Sequence, residues 1–525
     1  MRSLQNPVLA GFNPDPSILR VGDDYFIATS TFEWFPGVQI SHSKDLVNWH
    51  VVARPLNRYS HLDMRGCQNS GGVWAPCLSH SEGLFHLIYT DVRRWTGSFK
   101  DVRNFLVTAP AIDGPWSEPL YLNSSGFDPS LFHDDGGRKW LVNMLWDHRT
   151  DHQSFGGILL QEYDPGKKAL VGPVESIFSG SKLGLVEGPH LYKVEGWYYL
   201  LTAEGGTFTT HASTVARSRK IGGPYEVMPQ NPMITSARDP RLRLQSAGHG
   251  SLVQHKDGSW ALAHLCRRPL SNGRSILGRE TALQNLEWKD GWPRLASGGD
   301  VPLDTFDVPD LPLHPWPEAP SRDDFDSATL SIEWQAPRVA IDEEMASLSA
   351  RGGYLRVYGR ESLASPFEQS LVAKRQKAFH IEASTCVEFE PENFQQMAGL
   401  VAFYSTDSFY YLFLSRAPHS KRCLGLMRCE RGSVSYPIEK EYPLDEWSRV
   451  CLRLVIENDR IRFFYSRDGE VWTAAGWEHD ASILSDEHAV PCGFTGNFVG
   501  LACQDLSGAR KHADFDWFEY REIGG

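Results

Sequence analysis

A chain of 525 residues is too long for a single hydrophobic core and calls for two or three domains. Its 41% hydrophobic and 22% charged residues are those of a folded globular protein, which excludes global disorder. A formal net charge of −13 argues against a nucleic-acid surface, and no stretch approaches the apolar run of a membrane span.

The N-terminus, Met1-Arg2-Ser3-Leu4-Gln5-Asn6-Pro7, lacks the apolar run of a secretion signal. The nine cysteines are odd in number and none forms a CxxC pair, so they read as reduced, buried thiols. A cytoplasmic location is the expectation from both. The 17 Trp, 18 Tyr and 27 Phe suit strand cores first and sugar-binding walls second.

From residue 13 onward one short pattern recurs five times. Its copies are Asn13-Pro14-Asp15-Pro16-Ser17-Ile18, Val73-Trp74-Ala75-Pro76-Cys77-Leu78, Gly126-Phe127-Asp128-Pro129-Ser130-Leu131, Val186-Glu187-Gly188-Pro189-His190-Leu191 and Gly248-His249-Gly250-Ser251-Leu252. Each is followed by a Gly-containing turn and a strongly apolar strand. With Asp15, Ala75, Asp128, Glu187 and His249 as anchors, the spacings are 60, 53, 59 and 62 residues. Later in each unit an echo recurs: Asp45-Leu46-Val47-Asn48-Trp49, Ile112-Asp113-Gly114-Pro115-Trp116, Ile221-Gly222-Gly223-Pro224-Tyr225 and Leu286-Glu287-Trp288. It reads as a turn plus an aromatic closing an outer strand. Four short strands per repeat, five times over, predict a five-bladed β-propeller over residues 1–304.

Residues 305–321 form a Pro-rich linker, expected to run extended over the surface. Residues 322–525 then alternate with period two. Leu452, Leu454 and Ile456 precede a polar turn at Glu457-Asn458-Asp459-Arg460, and Ile461, Phe463 and Tyr465 follow it, which is a hairpin signature. Similar alternation at Thr385-Val387-Phe389 and Phe515-Trp517 predicts a β-sandwich. The whole chain is therefore all-β.

The innermost strand of each propeller blade lines the central axis. Asp15, Asp128 and Glu187, at equivalent positions of blades one, three and four, converge at one mouth of it. Carboxylates on separate blades suit glycoside hydrolysis with inversion, which needs an acid and a base ~6.5–9.5 Å apart with room for water. A third acid raises the pKa of the general acid by like-charge proximity. Asp before Pro is also a common turn residue. Three acids in register outweigh that reading, because a repeat built only for packing does not place charge at its most crowded position.

The motifs Asn13-Pro14-Asp15-Pro16-Ser17, Gly126-Phe127-Asp128-Pro129-Ser130 and Val186-Glu187-Gly188-Pro189-His190 resemble the three acid motifs of glycoside hydrolase family 43. Three further segments, Thr31 to Val38, Gly71-Gly72-Val73-Trp74-Ala75-Pro76 and Leu277-Gly278-Arg279-Glu280-Thr281, resemble its β-xylosidase branch, whose C-terminal sandwich is concanavalin-like. The resemblance implies Asp15 as general base, Glu187 as general acid and Asp128 as the acid that tunes and orients Glu187. It implies Arg279 as a sugar-binding arginine, against the alternative of a salt bridge with Glu280 or another acid. Phe32, Trp74, Ala75, Trp146 and Thr207 are candidates for the sugar pocket. His249, at the fifth anchor, is a candidate for hydrogen bonding, for sugar contact or for a calcium ion, as in parts of the family. No carboxylate cluster with calcium-loop spacing accompanies it, so no cofactor is expected. In this branch a sandwich loop narrows the site, and Phe498, in Gly493-Phe494-Thr495-Gly496-Asn497-Phe498-Val499-Gly500, is the candidate aromatic. The expected activity is exo-release of xylose from the non-reducing end of β-1,4-xylooligosaccharides. An arabinofuranosidase is the near alternative, and a non-catalytic sugar-binding propeller the distant one. No nucleic-acid or membrane partner is expected, and the family often forms dimers or tetramers.

Overall fold

The computed structural model describes residues 2–438 and 442–524. Five antiparallel sheets follow one another along the chain at 17–53, 72–123, 130–178, 187–227 and 245–295. Each has four strands in chain order, and the fourth sheet carries an added short strand, Ile234–Thr235. They are the blades of a five-bladed propeller, with innermost strands Ser17–Val21, Gly72–Ser81, Ser130–His133, Glu187–Val194 and Gln245–Gln254. Among the described residues, no helix is long and apolar enough to cross a membrane.

Blades are covered on both faces, so their strands are apolar on both sides rather than alternating. Separate buried clusters fill the wedges between neighbours. Phe26 and Ile40 meet Leu78 and Leu87 between the first two blades, and Ile18 and Ile27 meet Val253 and Ala263 between the first and the last. A serine two residues past the anchor links blades in three of the five wedges. Ser17 Oγ accepts from Leu78 N at 3.0 Å, Ser130 Oγ donates to Pro189 O at 2.6 Å, and Ser251 Oγ accepts from Ile18 N at 3.1 Å. The last of these joins blade five to blade one. No strand is shared between those blades, so the ring closes through such bonds. Tyr25 OH to His255 Nδ1 at 3.0 Å is another, and Asn6 bonds both the N–H and the C=O of Leu283.

The echo motif lies between the third and fourth strands of blades one, two and four. Its aromatic tip donates back to a carbonyl of its own turn: Trp49 to Leu46 at 3.0 Å, Trp116 to Ile112 at 3.3 Å and Tyr225 to Ile221 at 2.8 Å. It therefore leads into the outer strand rather than closing it, and Leu286-Glu287-Trp288 lies inside the strand Arg279–Lys289.

Within the Pro-rich stretch, Thr305–Val308 is extended and pairs antiparallel with Arg2–Gln5. Beyond it, nine-stranded and seven-stranded antiparallel sheets pack into a sandwich over a core that includes Leu400, Leu412, Leu452, Leu454, Phe463 and Phe515. The expected hairpin is Val450–Glu457 paired with Arg460–Ser466, with Asn458 at φ 57° in its turn.

Propeller and sandwich share one core. A single apolar cluster contains Phe32, Trp34 and Trp74 of the propeller together with Val401, Phe403 and Phe498 of the sandwich. Around it, the fully buried Arg338 donates to Cys67 O and Asn69 Oδ1, both at 2.8 Å, and Arg267 pairs with Asp486 at 3.1 Å. Phe498 stacks on Trp34 with ring centroids 3.5 Å apart and has no exposed surface. Truncating it leaves a cavity at the centre of this interface. Phe498→Ala is expected to lose about 3–5 kcal/mol of stability in equilibrium urea unfolding. A loss confined to a few tenths would mean that the two domains do not lean on this contact.

Candidate active site

Each inner strand bends where its motif lies. Asp15, Ala75, Asp128, Gly188 and His249 have φ values of 53°, 34°, 55°, 56° and 46°. These left-handed residues are the structurally equivalent anchors. The ladders of blades two, four and five shift register there, and such irregularities re-aim side chains. The fourth anchor is thus Gly188, not Glu187, which corrects the expected register by one residue. Glu187 opens its strand, paired with Ala203. Glycine suits this anchor twice over: the left-handed φ costs it nothing, and a Cβ there would crowd His249 at 3.1 Å from Cε1 and Nε2.

Asp15, Asp128 and Glu187 nonetheless meet in one cavity of about 170 Å³. Their relative exposures are only 5%, 7% and 9%, so they interact with little water to screen them. Burial raises the pKa of Asp15, but the Arg279 guanidinium, His249 and the Ser30 hydroxyl outweigh it, and the net shift is downward. Arg279 Nη1 lies 2.7 Å from Asp15 Oδ1, and Ser30 Oγ donates to Asp15 Oδ2 at 2.7 Å. Burial pushes Glu187 up to about 8, the charge of Asp15 adds to this, and Arg279 and Lys100 only partly offset it. Asp128 is raised well above the usual carboxylate range by burial, then by Glu187 and Asp15, against one bond from Gly188 N at 3.1 Å. Charge is thus favoured on Asp15 and a proton on Glu187, while Glu187 and Asp128 titrate as a coupled pair.

Phe32, Trp74, Trp146, Thr207, His249 and Arg279 all line this cavity, as expected. Arg279 pairs with Asp15, while Glu280 pairs with Arg268 at 2.6 Å. Ala75 stands behind the wall, where its N–H donates to Ser30 Oγ at 2.7 Å and so holds the hydroxyl on Asp15. Phe498 does not reach the cavity, because its ring is spent on Trp34. The sandwich loop enters through Phe494 instead. Phe494 packs 5.9 Å from Phe32, 5.8 Å from Trp74 and 5.0 Å from Trp95, centroid to centroid. Its N–H donates to Ser70 Oγ at 3.0 Å, and its carbonyl accepts from Arg279 Nη2 at 3.4 Å.

Trp95, Lys100, Phe127 and Phe155 also line the cavity and carried no signal as site residues. Lys100 donates to Trp95 O at 2.7 Å and sits 4.2 Å above the Trp146 ring, with its pKa lowered by burial to about 8. Trp95 and Lys100 lie past the second strand of the second blade, outside the repeated motif. His249 Nδ1 is 3.8 Å from Asp15 Oδ1, and burial lowers its pKa. Among the described residues, no group of three or more His, Cys, Asp or Glu side chains could hold a metal ion, at His249 or elsewhere.

A propeller axis carrying a carboxylate held ionised opposite a carboxyl held protonated, inside aromatic walls, is the acid–base arrangement of a glycosidase. Residues 4–293 match Glycosyl hydrolases family 43, and residues 322–521 match the beta-xylosidase C-terminal concanavalin A-like domain. The chain belongs to glycoside hydrolase family 43. It is 50% identical to a beta-xylosidase of Bacillus subtilis, over 99% of both chains. It is 51% identical to xylosidase/arabinosidase 43B of Humicola insolens, over 100% of this chain and 98% of the other. The crystal structure of a xylan beta-1,4-xylosidase from Bacillus halodurans superposes with a TM-score of 0.98 at 53% identity, covering 99% of this chain and 100% of that one.

Ser30 offers a direct check on how Asp15 is tuned. Its hydroxyl favours the charged carboxylate, so Ser30→Ala raises the pKa of Asp15. The acidic limb of the pH profile of kcat/KM is expected to move to higher pH, with the alkaline limb in place. Movement of the alkaline limb alone would break the assignment.

Proposed function

We propose that the enzyme is an inverting exo-β-xylosidase. It releases xylose from the non-reducing end of β-1,4-xylooligosaccharides and needs no cofactor. The observation that carries this reading is the meeting of Asp15, Asp128 and Glu187 in one small cavity walled by Phe494, where Asp15 is shifted towards charge and Glu187 towards protonation. Asp15, ionised, takes a proton from water as the water attacks the anomeric carbon. Glu187, protonated, delivers its proton to the leaving glycosidic oxygen. The charge of Asp15 helps keep that proton on Glu187, and Asp128, which accepts from Gly188 N, orients the backbone beside it. Arg279 Nε is buried without a partner, which leaves it free to donate to a sugar hydroxyl. The cavity volume suits one pentose ring, with the rest of the chain leaving past Trp146 and Lys100. The buried thiols of Cys67, Cys77 and Cys266 go with a reducing, cytoplasmic setting. Activity on α-L-arabinofuranosides is a second reading, favoured by the double name of the Humicola insolens relative.

Glu187→Gln is expected to lower kcat/KM on xylobiose by about 10²–10⁴-fold, as removal of a general acid does. Wild-type-like turnover would sink the catalytic reading in favour of sugar binding alone. The base must be ionised and the acid protonated, so kcat/KM should be bell-shaped. Its alkaline limb should fall near pH 8, where Glu187 begins to lose its proton. Proton NMR of the first-formed product should show α-xylose, whereas initial β-xylose would mean retention. Steady-state rates on p-nitrophenyl xyloside and arabinofuranoside decide between the sugars. A preference for arabinofuranoside of roughly tenfold or more would reverse the assignment.

A further inference from the structure

Two arginines outside the active site are buried without a counter-ion. Arg54 follows the outer strand His50–Ala53 of the first blade, and Arg375 ends the sandwich strand Leu371–Arg375. Their exposures are 8% and 5%. Arg54 donates to Ile332 O at 2.9 Å and Gln39 Oε1 at 2.8 Å, and Arg375 to Asn13 Oδ1 at 3.1 Å. Arg54 Nη1, Arg375 Nε and Arg375 Nη2 are buried with no hydrogen-bond partner. Among the described residues no carboxylate forms an ion pair with either arginine. The acid whose charge both arginines sense, Glu333, is engaged by Lys377 at 2.7 Å and Lys374 at 4.0 Å.

Both guanidinium groups wall one cleft of about 590 Å³ between the first blade, the linker and the sandwich edge. Exposed Pro317 and Glu318 stand at its mouth. Desolvating two like charges side by side is costly unless something neutralises them. The strain registers in both: burial lowers the Arg54 pKa to about 9, and burial plus the charge of Arg54 takes Arg375 well below its usual value. The Phe12 and Phe498 rings, 5.2 Å and 5.9 Å from Arg375 Cζ, soften this through their faces but give its idle N–H groups no acceptor.

We propose that this cleft binds a small oxyanion, phosphate or carboxylate, bridging Arg54 and Arg375. Two or three oxygens of such an ion can take up the three idle N–H groups and cancel the excess charge in one step. Glu318, Glu333 and Glu522 on the same walls repel a polyanion, so the ligand is a small ion that passes them. The site is wired to the catalytic base. Asn13 Oδ1 accepts from Arg375 and, at 2.6 Å, from Gln39 Nε2, while Asn13 N donates to Arg279 O at 2.8 Å. Asn13 stands two residues before Asp15, so a bound anion tightens the strap that holds Asp15 on Arg279.

Thermal unfolding at constant ionic strength tests this, with inorganic phosphate titrated in one arm and acetate in the other. A saturable rise in Tm is expected in at least one arm, and the arm that saturates at lower concentration identifies the chemistry. The saturable part is expected to vanish in Arg54→Met and in Arg375→Met. A rise that never saturates, or one that survives both substitutions, overturns the proposal. Should either variant fail to fold, crystals of the unsubstituted protein soaked in selenate supply the reading. An anomalous peak within hydrogen-bonding distance of both guanidinium groups supports the site, and water alone there overturns it. Neither readout depends on glycosidase activity.

Discussion

The contact on which the site depends is the 2.7 Å ion pair between Arg279 and Asp15. It joins the third strand of blade five to the first anchor of blade one, across the seam where the ring closes without a shared strand. Because both groups are buried, each is the other's main compensation for lost hydration, and either one alone would be strongly unfavourable. The same guanidinium lies 5.2 Å from the Phe32 ring and 5.5 Å from the Phe494 ring. Just before it, Gly278 makes room for the sandwich: a Cβ there would meet Thr495 O at 2.1 Å. Catalytic base, ring closure and domain interface therefore share one side chain.

Five left-handed anchors show how the propeller builds a site from repeated packing. A non-glycine residue with positive φ costs on the order of 1–3 kcal/mol and persists only when its surroundings over-determine it. Here the inter-blade serines and the proline after four of the anchors fix the backbone, while the anchor side chain is free to differ. Asp15 and Asp128 point carboxyl groups into the cavity, Ala75 offers only its N–H, and Gly188 withdraws altogether so that His249 can fill its space. The repeat conserves a bend, and the chemistry is written on whatever the bend presents.

Most of this was legible in the sequence. The anchor motifs and the apolar strands after them specify five blades, and the period-two alternation around Asn458 specifies a sandwich hairpin. Asp15, Asp128 and Glu187 stood out because charge at a packed position needs a reason. The failures are equally physical. Glu187 was aligned with the other acids by its charge, whereas backbone geometry aligns Gly188, and only the φ values separate the two. Phe494 and Phe498 lie four residues apart in one Gly-rich segment. Which one faces the sugar depends on Trp34 claiming the Phe498 ring, a contact between residues more than 400 positions apart. Trp95 and Lys100 sit in a loop with no periodicity to mark their direction.

The electrostatics of the cavity follow from unequal sharing of one cation among three acids. Arg279 is in contact with Asp15 alone, and its influence on Glu187 and Asp128 ranks behind burial and the neighbouring acids. The charge it stabilises on Asp15 is the same charge that holds protons on the other two. Base and acid are thus set apart by a single ion pair: protonating Asp15 removes part of what keeps Glu187 protonated. This coupling weakens as bulk water enters the cavity, because water between the carboxyls screens it. Phe494 is what the sandwich contributes to the cavity wall. The C-terminal domain, which supplies no acid or base, touches the acid–base machinery through Phe494, whose carbonyl and ring both meet Arg279.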